Sequence, residues 1–198
     1  MSTTSRAASE LAVESKFTDG ELEGTWVLDP EASRVEFRTR VLHGRIRVKG
    51  SFRDIAGRGT VSSEGALVGT VRIRAASIDT SVDRRDAHLR SADFLDTDTF
   101  PNTLFTARGL AAEESGITLA GTLRVHNYAN PITLPIVVGT AGHDQLWIRA
   151  SISIDRRDIG MEWNKLDLAS TKTTVTVNIT FRHSSPDRHS TSEYLAAS

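Results

Sequence analysis

Strict alternation of apolar and polar residues runs through most of this chain, and it constrains the fold more than any motif does. Val35, Phe37 and Val41 alternate with Arg34, Glu36, Arg38 and Arg40. Ile46, Val48, Gly50 and Phe52 alternate with Arg45, Arg47 and Lys49, and Val71 and Ile73 with Arg72 and Arg74. Later sets are Ile117 to Val125, Ile132 to Val138, Leu146 to Ile154 and Val175 to Phe181. A period of two marks strands buried on one face only. Gly57 and Gly59 read as a turn, followed by a short strand near Thr60. The total is roughly eight or nine strands at the spacing of a barrel or sandwich. With almost no helix to cover a sheet, the apolar faces must meet each other.

One stretch departs from this pattern. Ser77 to Pro101 reads SIDTSVDRRDAHLRSADFLDTDTFP. Ser81 or Asp83 is placed to cap a helix. Leu89, Ala92 and Phe94 or Leu95 then share one face. Pro101 forbids helix immediately before it. The spacing predicts one helix over about 83–95, set as a lid or plug near one end of the strands.

Flanking composition sets the expected domain limits. Residues 1–23 are polar and of mixed charge, and 184–198 are Ser-rich, so both are expected to be disordered. Residues 24–183 form the single folded domain. No basic end leads into an apolar stretch, so no secretory signal is read and the expected location is the cytoplasm. No apolar run reaches the length of a membrane span.

The chain has 198 residues and no cysteine, which removes disulfides and thiolate chemistry. Lys and Arg number 24 against 25 Asp and Glu, so no global attraction to nucleic acid is expected. No histidine pair has zinc-like spacing. There is no GxSxG elbow, and Gly57 and Gly59 lack the Lys of a phosphate loop. The carboxylates Asp96 and Asp98, or Asp83 and Asp86, read as a solvated loop and a helix first turn. Arg84, Arg85 and Arg90, with Arg156 and Arg157 in a second SID-RRD stretch, allow a sharper reading. At one mouth of a barrel their guanidinium forks would hold a phosphate or carboxylate. Local pairing with Asp83, Asp86, Asp93, Asp155 and Asp158 is the favoured alternative.

Several separate pieces resemble the YceI-like family of lipocalin-like, polyisoprenoid-binding proteins. They are Trp26-Val27-Leu28-Asp29 with Ser33, Val35 and Phe37; Gly50-Ser51-Phe52 with Gly57; and Ser77-Ile78-Asp79-Thr80 followed by Arg85 to Asp96 and Phe100-Pro101. Gly121-Thr122-Leu123, Asp155-Arg156, Gly160 and Trp163 complete the set. The sequence departs from the family at Ala32-Ser33, where many members carry a His before the Ser, and at Val125 to Pro131. The resemblance implies an all-β fold: a single antiparallel lipocalin-like β-barrel of about eight strands with one helix near one end. It implies binding, not catalysis, with no cofactor and no metal. The ligand would be a long-chain isoprenoid or lipid such as an isoprenoid quinone, a polyprenyl phosphate or a fatty-acid-like amphiphile.

Alternation then nominates Phe37, Val48, Phe52, Phe105, Leu123, Ile148, Ile152 and Phe181 as tunnel lining, with Leu89 and Phe94 closing the helix against it. Arg84, Arg85, His88 and Arg156 are the head-group candidates. Two competing readings stand beside this one. The first is an enzyme acting on a small amphiphile with His88 or His126 as base. The second is a filled barrel serving as a protein-interaction module through Arg38, Arg40, Arg45, Arg47 and Lys49, and a homodimer is also open.

Overall fold

A computed structural model describes residues 16–17, 19–41, 45–113, 116–155, 157 and 169–184. The strands, in chain order, are β1 (Gly24–Leu28), β2 (Arg34–Val41), β3 (Ile46–Phe52), β4 (Ile55–Val61), β5 (Leu67–Arg74) and β6 (Ile78–Asp79). After the helix α1 (Asp83–Arg90) come β7 (Asn102–Glu113), β8 (Gly116–Val125), β9 (Tyr128–Ala141), β10 (Gln145–Asp155) and β11 (Ala169–Ser184).

Register shows that these segments make eight barrel strands, because three of the eight are interrupted. β1 and β2 both lie along β11, with Leu28 opposite Phe181 and Val35 opposite Val177. β3 and β4 form one bent strand that faces β2 and β1 in turn. β5 and β6, separated by a 3-10 turn at Ala75–Ser77, do the same against β4 and β3. Every strand therefore pairs antiparallel with its neighbour in sequence, and β11 returns to the first strand to close the ring. Closure removes the two outer edges of the sheet, leaving unpaired backbone where β6 pairs with β3 alone and where β10 runs past Ala150, its last partner on β9 being Ile136. This is an up-and-down, lipocalin-like barrel.

Two expectations need correcting. Gly57 and Gly59 do not make a turn; both lie inside β4. Alternation from Ile55 to Val61 puts them on the inward side, where Gly57 makes room for the Leu28 side chain and Gly59 widens the interior. The helix ends at Arg90, before the expected limit at 95. Neither Ser81 nor Asp83 caps it: the N-cap residue is Val82 and no side chain bonds there. Ala92, Phe94 and Leu95 belong to turns held by bonds from Leu95 N–H to the Leu89 carbonyl and from Asp96 N–H to the Ser91 carbonyl.

The packed unit also begins upstream of residue 24. Phe17 and Leu22 are 5% and 3% exposed and belong to the main apolar cluster. The indole N–H of Trp26 donates to the Leu22 carbonyl at 2.9 Å. This segment closes the end of the barrel that holds the β4–β5 and β9–β10 turns, whereas α1 and the turns after it close the other end. None of the described helices is long and apolar enough to cross a membrane.

Candidate functional site

The interior is apolar and incompletely filled. A cavity of about 150 Å³ runs between the two sides of the barrel. Its wall includes Phe105, Leu123, Ile148, Ile152 and Phe181 from the nominated set. It also includes Trp26, Val35, Val71, Ile132 and Val177. The volume equals roughly five waters at about 30 Å³ each, yet apolar walls give water no partners. Such a space suits hydrocarbon.

One row of small residues makes the room. Gly59 lies opposite Gly69, Gly69 opposite Ala107, and Ala107 opposite Gly121. The Phe105 ring covers Gly121: a Cβ there would sit 2.5 Å from the Phe105 ring. Nothing similar covers Gly59 or Gly69. A Cβ at Gly59 would meet only backbone, the Val68 carbonyl oxygen at 3.1 Å being nearest. The alternation of β4 and β5 was readable, but a glycine carries no hydrophobic signal, so its inward position went unseen.

The other nominated residues sit elsewhere. Phe37 and Val48 form a second apolar cluster with Ile78, Leu95 and Val125, against which Leu89 and Phe94 pack. This cluster plugs the helix end. Phe52 and Val175 pack against both clusters, and Leu123 packs against the plug while lining the cavity, so these three join plug to cavity. Phe37 and Phe52 rings meet at 5.9 Å between centroids.

Polar groups at the helix end serve the fold. Asp86 is 4% exposed and is not the solvated first-turn acid expected: its carboxylate accepts from the N–H and the hydroxyl of Thr80. Arg85 donates from Nε to Thr80 Oγ1 at 2.8 Å and from Nη2 to the Thr80 carbonyl at 2.9 Å. Arg90 donates to the carbonyls of Ala76 and Ile78, at 2.8 and 2.7 Å. These arginines tie α1 to β6 through carbonyls and one hydroxyl, and neither pairs with the expected aspartates. Arg84 is exposed and His88 half-buried on α1. Arg157 does pair locally with Asp155, at 2.7 Å. Arg156, His43, Gly160, Met161 and Trp163 lie outside the described residues.

His126 occupies the β8–β9 turn with a positive φ of 51°. Its Nε2 lies 2.8 Å from the Leu95 carbonyl, and its ring stacks on Phe100 at 4.8 Å. Neither His126 nor His88 lines the cavity. Among the described residues, no three His, Asp or Glu side chains are grouped to hold a metal ion. Ser33, which follows the departure at Ala32, is buried; its hydroxyl donates to the Asp29 carbonyl at 2.6 Å and accepts from Thr180 N–H at 3.0 Å, stitching the first strand to the last.

A closed, eight-stranded antiparallel barrel with an apolar internal cavity defines a lipocalin-like protein. Residues 26–182 match the model of the YceI-like domain, and the chain belongs to that family. It is 30% identical over 120 residues to Protein YceI of Escherichia coli, an alignment spanning 59% of this chain and 63% of that one. Against Protein YceI of Salmonella arizonae it is 30% identical over 132 residues, or 65% of this chain and 69% of the relative. Among solved structures, BcnA of Burkholderia cenocepacia superposes with a TM-score of 0.69 at 18% identity, covering 77% of this chain and 98% of BcnA. A polyisoprenoid-binding domain from Saccharophagus degradans, implicated in plant cell wall breakdown, gives 0.67 at 19% identity, covering 80% and 98%. The YceI protein of Campylobacter jejuni gives 0.59 at 21% identity, covering 70% and 86%.

Proposed function

We propose that the chain is a binding and carrier protein that holds the apolar chain of an isoprenoid or lipid amphiphile in the barrel. The observation that carries this reading is the unfilled, apolar cavity inside a closed barrel. Each methylene taken from water into such walls contributes about 0.8 kcal/mol. No polar side chain on the cavity's inward face is needed, because the head group remains at a mouth. The similarity in fold to a polyisoprenoid-binding domain supports the same reading. So does the placement of His88 and His126, which puts neither imidazole at the cavity wall where an enzyme base would face bound substrate.

The present cavity takes only a short segment of a long chain. Longer occupancy requires the plug of Phe52, Leu89, Phe94 and Leu95 to shift outward, which extends the cavity toward the helix end. Arg84, Arg85 and His88 stand at that end. Arg85 is already bonded to Thr80, so Arg84 and His88 are the better candidates to meet a head group.

The test is mass spectrometry on the organic extract of natively purified protein. A long-chain amphiphile in about one-to-one ratio is expected. It is lost in Ala150→Phe, which fills the cavity, provided that this variant melts as the parent does. An empty extract, with no thermal shift on adding quinones, prenyl phosphates or fatty acids, would overturn the proposal.

A further inference from the structure

The outer wall of one hairpin concentrates positive charge, five cations against the single carboxylate of Glu36. On β2 and β3 the inward residues Val35, Phe37 and Val48 are buried. The outward residues Arg38, Arg40, Arg47 and Lys49 are exposed, and exposed Arg45 joins them at the turn. The register sets Arg38 opposite Lys49 and Arg40 opposite Arg47. Like charges directly across an antiparallel pair repel and destabilise it. The ion pairs among the described residues lie elsewhere, at Lys16–Glu21, Arg53–Asp79, Arg72–Asp54, Arg74–Asp54, Arg157–Asp155 and Arg182–Asp29, and none of the five cations takes part. Glu36 is the one outward carboxylate on the hairpin, and it sits toward the end away from the turn, opposite Ser51. The whole chain carries a formal charge of only −1, so this is a local segregation of charge.

An apolar residue accompanies the cations. Ile46 shares the inward parity of Val48 yet is 46% exposed, at the rim, between Arg45 and Arg47 in sequence. Cations flanking an exposed aliphatic side chain match an interface in which phosphates meet the charges and acyl chains take up the apolar group. Among the described residues, the outer face of this hairpin carries no aromatic side chain on which a base could stack, so the chemistry of single-stranded nucleic acid is poorly met there. The hairpin turn lies at the helix end, and Phe37 and Val48 of the plug are the inward faces of these same two strands. The neighbouring α1 region adds no net attraction, since exposed Arg84 is accompanied by exposed Asp83, Asp93 and Asp98.

We infer that the β2–β3 hairpin docks the barrel on an anionic lipid surface, with its plugged end beside the membrane from which cargo is drawn. The purpose rests on the carrier reading; the charge chemistry does not. The experiment is co-sedimentation with vesicles of phosphatidylcholine alone and with about 30 mol% phosphatidylglycerol, at about 50 and 300 mM salt. The parent is expected to sediment with anionic vesicles at low salt and to be released at high salt and from neutral vesicles. Each cation removed lowers the partition coefficient about fivefold. Arg38→Gln, Arg40→Gln, Arg47→Gln and Lys49→Gln combined therefore lower it at least about a hundredfold. Ile46→Ser lowers it less, and Arg108→Gln on β7 leaves it unchanged. Melting curves confirm that the variants fold. Equal binding to neutral vesicles, an unaffected quadruple variant, or preference for duplex DNA over the anionic vesicles would overturn the inference. Lipid extracts of the same preparations separate the two proposals. Cargo without vesicle binding sinks the docking face alone, and vesicle binding with an empty extract sinks the carrier reading alone.

Discussion

At the helix end of the barrel, closure is directional; at the opposite end it is almost wholly apolar. Arg85, Asp86 and Arg90 fasten α1 to Thr80, Ala76 and Ile78 through short hydrogen bonds, and only then does the cluster around Phe37 and Val48 fill the mouth. The other mouth is stopped by Phe17 and Leu22, with one indole bond to the Leu22 carbonyl and a Lys16 ammonium 3.4 Å from the Thr140 hydroxyl. The two closures also differ in origin. The helix lies within the matched family domain, whereas Phe17 and Leu22 precede its start at 26. Directional bonds specify one arrangement and fail together; apolar packing tolerates small shifts and fails gradually. On the carrier reading, the helix end passes its cargo by sliding Phe94 and Leu95 while the bonds at Thr80, Ala76 and Ile78 hold α1 in place.

This contrast is open to attack, and the largest effect is expected at Asp86. Asp86→Ala leaves the buried Thr80 N–H without its acceptor and is expected to cost about 3 kcal/mol in urea unfolding. It should also loosen α1 in hydrogen exchange. A loss no larger than that of an exposed alanine would show that the bonds do not hold this end. Leu22→Ala and Phe17→Ala are expected to cost about 2 kcal/mol each, near the low end for apolar truncation because the segment is packed from one side. Both should leave protection of α1 and the exchange of a bound apolar dye unchanged, since entry is at the helix end. Faster dye exchange in either variant would make the stopper the route instead.

His126→Ala removes a bond to the Leu95 carbonyl and the stack on Phe100, and is expected to cost about 1 kcal/mol, confined to the helix end. Hydrogen exchange at the Leu22 end should not change. The smallest effect concerns the seam between first and last strands. The hydrogen bond from Arg182 at 2.7 Å, helped by the Ala32 N–H, holds the Asp29 carboxyl below its ordinary range. A lowered folded pKa stabilises above the unfolded value near 3.9, and that contribution disappears as pH falls through the folded value. Asp29→Asn should therefore lower the neutral plateau slightly and flatten the acid limb below about pH 4, its curve meeting the parent's once the carboxyl is protonated. An unchanged acid limb would remove Asp29 from the account.

How much of this was legible in the residues varies with the kind of signal. Alternation placed Phe105, Leu123, Ile148, Ile152 and Phe181 on the inward side, and the cavity wall includes them. The same alternation placed Phe37, Val48 and Phe52 inward, but a period of two reports the face of a strand and not the height along the barrel. Wall and plug were therefore indistinguishable. Gly57 and Gly59 read as a turn because glycine punctuates loops far more often than it hollows a wall. The helix was overdrawn to 95 because Phe94 and Leu95 are apolar at helical spacing, yet they pack from turns. Phe17 and Leu22 escaped notice because two apolar residues in a polar stretch carry no period at all. Asp86 looked like any acid in a first turn until its depth and its bonds to Thr80 were visible.

The pairing of β1 with β11 has a consequence for how the chain comes to be folded. Leu28 and Phe181 are register partners from opposite ends of the domain. Every other neighbour pair along the ring joins stretches close in sequence, most of them by a short turn, and forms quickly because little chain must be gathered. The last seam cannot form until nearly all of the domain has left the ribosome. Until then the chain is an open, curled sheet whose first strand and tenth segment present unpaired edges and a greasy inner face. Such a species adds strands from other copies of itself. The slow step and the hazardous step of biogenesis are thus the same event, the meeting of the two ends.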